Sequence, residues 1–371
     1  MANTAVILYD KMLYANDATI VQHLLRKAGI TMIGHIDLRE PHVVSDIQVH
    51  VGVPVYSAVS WSHHNILVIR TSDWKPAYDA YLDAFTVYHM TDDWPTEIVG
   101  VTSEIYNTFI PLLAIQGKKD RGLGTPVLQI ADCPPISIVT PTYHRRALID
   151  IAFHNMLSTD YPQDKIEWII VEDSEEKEDM ATDKIINFQV LGKDISVKYI
   201  PLEGRLTIGA KRNIGVTHAT HSIVLFMDDD DHYPVTSFRR RVAWLLHGKK
   251  DIVCCTTLPL YDLKRGTSAI SIPPFHLPLS QRISEATLTF RKSAWESRPF
   301  AEVSVAEGET WIDGREQAVL EIPPQQIIVA FTHGTNQSSR SVPSDAPVSC
   351  FWGFPKEYLQ FIHGLANVSV S

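Results

Sequence analysis

Short apolar runs alternate along this chain with longer stretches whose apolar positions recur at helical spacing, and the alternation happens in two blocks. In the first, from about Thr4 to about Ile115, "AVILY" predicts a buried strand and "ATIVQHLLRKAGI" a helix closed by a glycine. "NILVIR" predicts a second strand, "KPAYDAYLDAF" its helix, and "TEIVGV" with "SEIYNTFIPLLAI" one more strand and helix. Such alternation predicts a small, Rossmann-like parallel α/β domain over 1–115, and no glycine fingerprint gives it a chemistry. The polar, Gly- and Lys-rich "QGKKDRGLGTP" opens a linker over 116–133.

A second domain is predicted over 134–371. Ile136 to Val139 form its first strand, which Thr140 to Tyr143 leave in a turn, and "ALIDIAFHNML" follows as a helix. "EWIIVEDSEE" and "VKYIPL" read as strands, "IGAKRNIGVTHAT" as a helix and "SIVLFM" as a strand. "PVTSFRRRVAWLLHG" reads as a helix with Pro234 in its first turn and Gly248 at its end. Val235, Phe238, Val242 and Leu245 would be its apolar face, and Arg239 to Arg241 a solvated one. The order predicts an open, mostly parallel sheet.

Composition narrows the function classes. The 371 residues are enough for two domains. A net charge of -10 argues against general nucleic-acid binding, which needs a basic footprint. The start lacks the basic-then-apolar order of a signal peptide, and no apolar run approaches a membrane span. Cys133, Cys254, Cys255 and Cys350 show neither disulfide nor zinc spacing, so a reduced, soluble, cytoplasmic chain is expected.

The chemistry gathers where strands end. Glu172 and Asp173 follow "WIIV", and Asp228, Asp229, Asp230 and Asp231 follow "IVLFM". Ligands of parallel α/β sheets bind beyond the carboxyl ends of the strands. Adjacent carboxylates tolerate one another there if a hard cation, Mn2+ or Mg2+, sits among them and bridges them to a substrate phosphate. An isolated acid run is otherwise a solvated turn or a helix cap.

"ISIVTPTYHRR", "IIVEDS", "GAKRNIG" and "IVLFMDDDDHYP", in that order, resemble the nucleotide half of the family-2 glycosyltransferases with the GT-A fold, over roughly Pro134 to Arg340. The resemblance implies that Thr140, Pro141 and Tyr143 line a nucleotide pocket and that Asp173 contacts the base. It places Lys211, Arg212 and Asn213 near the nucleotide. Four acids allow two Asp-x-Asp registers, Asp228/Asp230 and Asp229/Asp231. Asp228 is preferred for ribose, with Asp229 beside the nucleotide, and Asp230 for metal, with Asp231 behind it. In "FTHGTN", the family's His-Gly-x-Asn segment implies that His333 reaches the diphosphate or its metal.

The family also carries a Glu-Asp pair before an aromatic-apolar pair, one acid being the base. Here Glu307, Gly308 and Glu309 precede Trp311 and Ile312, so the position of the common base is a glycine. Glu307 is the first candidate for base and Glu309 the second; Trp295 is expected in the core. The resemblance thus implies a metal-dependent, inverting transfer of a sugar from a nucleotide-diphosphate donor to a hydroxyl acceptor. A sugar-nucleotide binding module without catalysis is the alternative that Gly308 favours. A nucleotidyltransferase ranks below it, because "TPTYHRR" has no glycine-rich phosphate loop.

Overall fold

The computed structural model describes residues 4–37, 45–54, 62–75, 78, 85–113, 126–191, 194–273, 277–324, 326–334, 341, 342, 344, 348, 350 and 352–366. It divides into two compact units, Met1–Gly124 and Thr125–Ser371. Most of the helix expected over 75–85, most of the linker, and Asn336 lie outside the described residues.

The first unit is a parallel sheet. β1 (Thr4–Tyr9) leads into α1 (Ala15–Lys27), and β2 (Met32–Asp37), β3 (Ser45–Val51), β4 (Ser62–Arg70), β5 (Thr86–Met90) and α2 (Ser103–Phe109) follow. The strand order is β2-β1-β3-β4-β5, every pair parallel. Ile20, Val21, Leu24 and Leu25 of α1 pack on Ile7, Val49 and Val68 of the sheet. The strand expected at "TEIVGV" is absent: Ile98–Gly100 form a single 3-10 turn, with Val99 94% exposed. Pro95, just before the run, supplies no ladder donor.

The second unit opens with β6 (Ile136–Thr142), α3 (Ile149–Ser158), β7 (Ile166–Glu172), α4 (Thr182–Leu191), β8 (Ser196–Pro201), α5 (Ile208–His218), β9 (Ile223–Phe226) and α6 (Ser237–His247). β10 (Ile252–Cys254), β11 (Leu258–Asp262), β12 (Thr267–Ser271), β13 (Thr289–Arg291), α7 (Lys292–Ser297), α8 (Glu307–Ile312), β14 (Val319–Glu321), β15 (Ala330–Thr332) and α9 (Lys356–Leu365) complete it. Its main sheet has the order β14-β10-β13-β9-β6-β7-β8, parallel except where β13 runs against β9 and β10. A smaller sheet, β12-β11-β15, stands beside it.

Side-chain alternation splits the core in two. Ile136, Ile138, Trp168, Ile170 and Leu225 face α3, α4 and α6. Val139, Ile169, Val171, Val224 and Phe226 face α5 and α8. Both faces of the central strands are covered, so β6, β7 and β9 are buried along their whole length and their central residues are mostly apolar.

Three expectations change here. Thr140 and Pro141 belong to β6 rather than to a turn, because their register with Ile170 and Val171 of β7 continues to Thr142 opposite Glu172. α6 begins at Ser237, after a turn in which Ser237 N–H donates to Pro234 O at 2.7 Å, so Val235 precedes the helix and is exposed. Arg241 is no solvated residue. Its guanidinium is fully buried and donates to Thr289 Oγ1, Phe226 O and Leu288 O at 2.8, 2.9 and 2.6 Å. Burial lowers its pKa to about 10. Arg239 is likewise engaged, with Asp160 and Leu128 O. Trp295 is partly covered and donates from Nε1 to Asn213 Oδ1 at 2.9 Å.

Candidate active site

The carboxyl ends of β6 and β9, the segment after β7 and the start of α5 border one cavity of about 350 Å³. Pro141, Thr142, Tyr143, Asp173, Lys211, Arg212 and all four aspartates line it, together with Glu307 and Glu309. Thr140 does not: it is fully buried and accepts the Trp168 indole N–H at 2.8 Å. Asn213 does not either, its side chain being spent on Phe300 N and O and on Trp295.

At one end, Asp173 is wholly buried and accepts Lys211 Nζ at 2.6 Å and Leu206 N–H at 2.8 Å. Burial lowers the Lys211 ammonium pKa, and the Asp173 bond works against that. The Tyr143 ring lies 4.5 Å from the Arg205 guanidinium and 5.5 Å from Lys211 Nζ. Glu172 is structural, its carboxylate bonded by Ser174, Tyr199 and the Ala181 N–H.

The acid run separates into distinct tasks. Asp228 Oδ1 accepts Arg212 Nη2 at 3.1 Å, and the Asp228 N–H donates to Tyr233 Oη at 3.0 Å. Asp230 Oδ2 meets His333 Nε2 at 2.9 Å and Arg145 Nε at 3.4 Å. Asp231 Oδ1 instead accepts the Phe331 N–H at 2.9 Å, and its carbonyl is held by Asn155. Asp229 Oδ2 is buried with no hydrogen bond of good geometry among the described residues. Burial raises the carboxyl of Asp228, that of Asp229 to about 8, and that of Asp231, with neighbouring acids adding to it. Burial also opposes the charge on Asp230, but the His333 bond and Arg145 outweigh it and hold that carboxyl low.

Among the described residues no group of three or more His, Cys, Asp or Glu side chains is arranged to hold a metal ion, so Asp230, Asp231 and His333 do not close a cage. A carboxylate touching an imidazole at a cavity wall, beside crowded acids and an unpartnered carboxylate oxygen, does fit a cation that takes its other ligands from a diphosphate.

On the opposite wall Arg212, fully buried, also donates from Nε to Glu307 Oε1 at 2.6 Å. Burial works to lower the guanidinium pKa, and the charges of Asp228 and Glu307 outweigh it, so it is raised. Glu309 is partly exposed and accepts Gln281 Nε2 at 2.7 Å. The cavity also holds residues that the motifs did not single out. Arg145 and Arg205 lie in or next to the motif segments, where adjacency was the available signal. Glu285 had none, since only the fold brings it to Gly308, whose N–H donates to its Oε1 at 3.3 Å.

With this geometry in view, residues 137–283 match the model of glycosyl transferase family 2. Over that stretch the second unit is similar to the family-2 glycosyltransferases. The match takes in Tyr143, Asp173, Lys211, Arg212 and the four aspartates, and it ends two residues before Glu285. A mannosyltransferase from Pyrobaculum calidifontis, PcManGT, solved with GDP-Man and Mn2+, aligns at 18% identity and a TM-score of 0.44 over 57% of this chain and 61% of its own. S. aureus TarS 1–349 aligns at 17% identity and a TM-score of 0.41 over 53% of this chain and 60% of its own. At TM-scores this low these alignments set neither donor nor metal for this chain, which spans about three fifths of those structures. No curated protein matches it.

Proposed function

We propose that this chain is a divalent-metal-dependent, inverting glycosyltransferase that moves a sugar from a nucleotide-diphosphate donor to a hydroxyl acceptor. One observation carries the reading: a domain similar to family 2 in which Arg145, Arg205, Lys211 and Arg212 surround the strand-end aspartates in a single cavity. Fixed cations are what a diphosphate needs, and here Asp173, Asp228 and Asp230 hold Lys211, Arg212 and Arg145 in place.

In this reading Tyr143 and Arg205 offer a flat face to the base, and Asp173 fixes Lys211 beside it. Asp228 orients Arg212 and takes the ribose. Asp230 and His333 would hold Mn2+ or Mg2+, which when bound offsets the charge growing on the leaving diphosphate. The acceptor hydroxyl attacks from the face opposite the leaving group and inverts the anomeric carbon. Because a hydroxyl is a poor nucleophile at neutral pH, a carboxylate must take its proton. Glu307 and Glu309 are the candidates from the chain's own motif.

Calorimetry with UDP, GDP, dTDP and CMP, in Mn2+ and then in chelator, tests the reading. One nucleotide is expected to bind, to lose its affinity with chelator, and to lose it again in Asp230→Ala. Binding that ignores both changes would sink the metal's role. Sugar-nucleotide binding without transfer is the second reading, because Gly308 stands where the family carries its base. It predicts chelator-sensitive binding with neither transfer nor donor hydrolysis.

A further inference from the structure

The glycine at 308 leaves room that another side chain has taken. A Cβ built there would lie 3.0 Å from Glu285 Oε1, 3.1 Å from Glu285 Cγ and 2.5 Å from Ile283 Cδ1. Glu285 thus brings a carboxylate to the place an acidic residue at 308 would use, and the two cannot share it. Building on the transferase reading above, we propose that Glu285 is the base that takes the acceptor's proton.

The loop that carries it is anchored. Ser284 N–H donates to Cys255 O at 2.8 Å, Tyr233 Oη donates to Ala286 O at 3.0 Å, and Phe226 N–H donates to Leu288 O at 2.9 Å. Tyr233 also accepts the Asp228 N–H, so one side chain ties the Glu285 loop to the start of the acid run. Glu285 lines the cavity, and among the described residues no ion pair holds it. Glu307 is less free: its carboxylate is buried against Arg212, where it positions the cation that also holds Asp228. Glu309 is tied to Gln281.

The groups facing Glu285 are Glu307 on α8, Arg212 on α5 and Cys254 on β10. Burial first, and the Glu307 charge second, push its carboxyl up to about 7. A base poised near the working pH combines a useful ionised fraction with real proton affinity. As the acceptor oxygen bonds to the anomeric carbon, its proton passes to Glu285. The bond from that carbon to the phosphate oxygen breaks, and its electron pair leaves on the nucleoside diphosphate.

The test compares wild type with Glu285→Gln, of nearly equal size, using the nucleotide sugar selected by calorimetry. Loss of kcat by about 100-fold or more is expected, with donor Kd within about twofold of wild type. Glu307→Gln should instead weaken donor binding, through Arg212. Wild-type kcat/KM should rise with pH through about 7, the limb being absent from Glu285→Gln. Transfer regained by Glu285→Ala/Gly308→Asp, about tenfold above Glu285→Ala, would support the exchange of positions. A Glu285→Gln enzyme within about threefold of wild type, or one that keeps the pH limb, overturns the proposal and leaves the transferase reading standing. A wild type that binds nucleotide but neither transfers nor hydrolyses any donor brings down both.

Discussion

A carboxyl that titrates near 7 in the fold and at 4.5 in the free chain links stability to pH at Glu285. The folded state binds the proton more tightly, so this contribution is whole below 4.5 and is lost as pH rises through about 7. Glu285→Gln cannot ionise and keeps it. Urea unfolding should find the variant close to wild type near pH 4.5 and more stable by about 1–2 kcal/mol at about pH 8. That is less than the full shift implies, because the side chain is partly open to the cavity. A variant less stable than wild type at the higher pH would remove the strain assigned to the buried charge. Greater stability with lost turnover is the trade expected of a site built for chemistry. The four aspartates could be read from the sequence because an apolar run meeting acids is a pattern of neighbours. Glu285 could not, since its meaning is a contact across 23 positions. Likewise the sequence offered Arg212 and Glu307 separately, and only the fold joins them across 95 positions.

Among the elements, those with strong local periodicity were legible: β1, α1, β4, β7, α5 and β9 lie where their apolar patterns put them. β6 ran longer than its composition suggested because pairing with β7 carries Pro141 and Thr142 into the ladder. α6 misled in a different way. Three arginines in a row look solvated, yet Arg241 is fully buried and donates to Thr289 Oγ1 and to the carbonyls of Phe226 and Leu288. Arg241→Met should therefore cost about 2–4 kcal/mol in urea unfolding, against a few tenths for Arg240→Met on the same helix. Equal losses would mean that the buried hydrogen bonds contribute little. α5 depends on a close approach at Gly209, whose N–H donates to Val303 O at 3.1 Å. A Cβ at 209 would stand 1.9 Å from Ala301 O, a backbone atom that has nowhere soft to go. Gly209→Ala should cost about 1–3 kcal/mol and weaken transfer, because the displaced segment runs straight into the Ser304–Glu307 wall of the cavity. Unchanged melting and kinetics in that variant would show that the segment yields freely.

Over the whole molecule, the two units have separate hydrophobic cores, and every residue assigned to nucleotide, metal or proton transfer lies in the second. A ligand stabilises only what it binds, by RT ln(1 + [L]/Kd), about 2.7 kcal/mol at a hundredfold excess over Kd. Hydrogen exchange with the selected nucleotide and Mn2+ should then slow in peptides from β6, β7, α5 and the β9–α6 connection. Those from β1, α1, β3 and β4 should keep their rates. The slowing should be strongest from Met227 to Tyr233, where Asn155, Tyr233 and His333 already fix the acid run and a ligand would add the charge it lacks. Slowing that spread equally into β1 and β4 would mean that the first unit shares the donor site. The absence of slowing at Met227–Tyr233, with binding proved by calorimetry on the same sample, would move the donor away from the aspartates and take the metal-diphosphate reading with it.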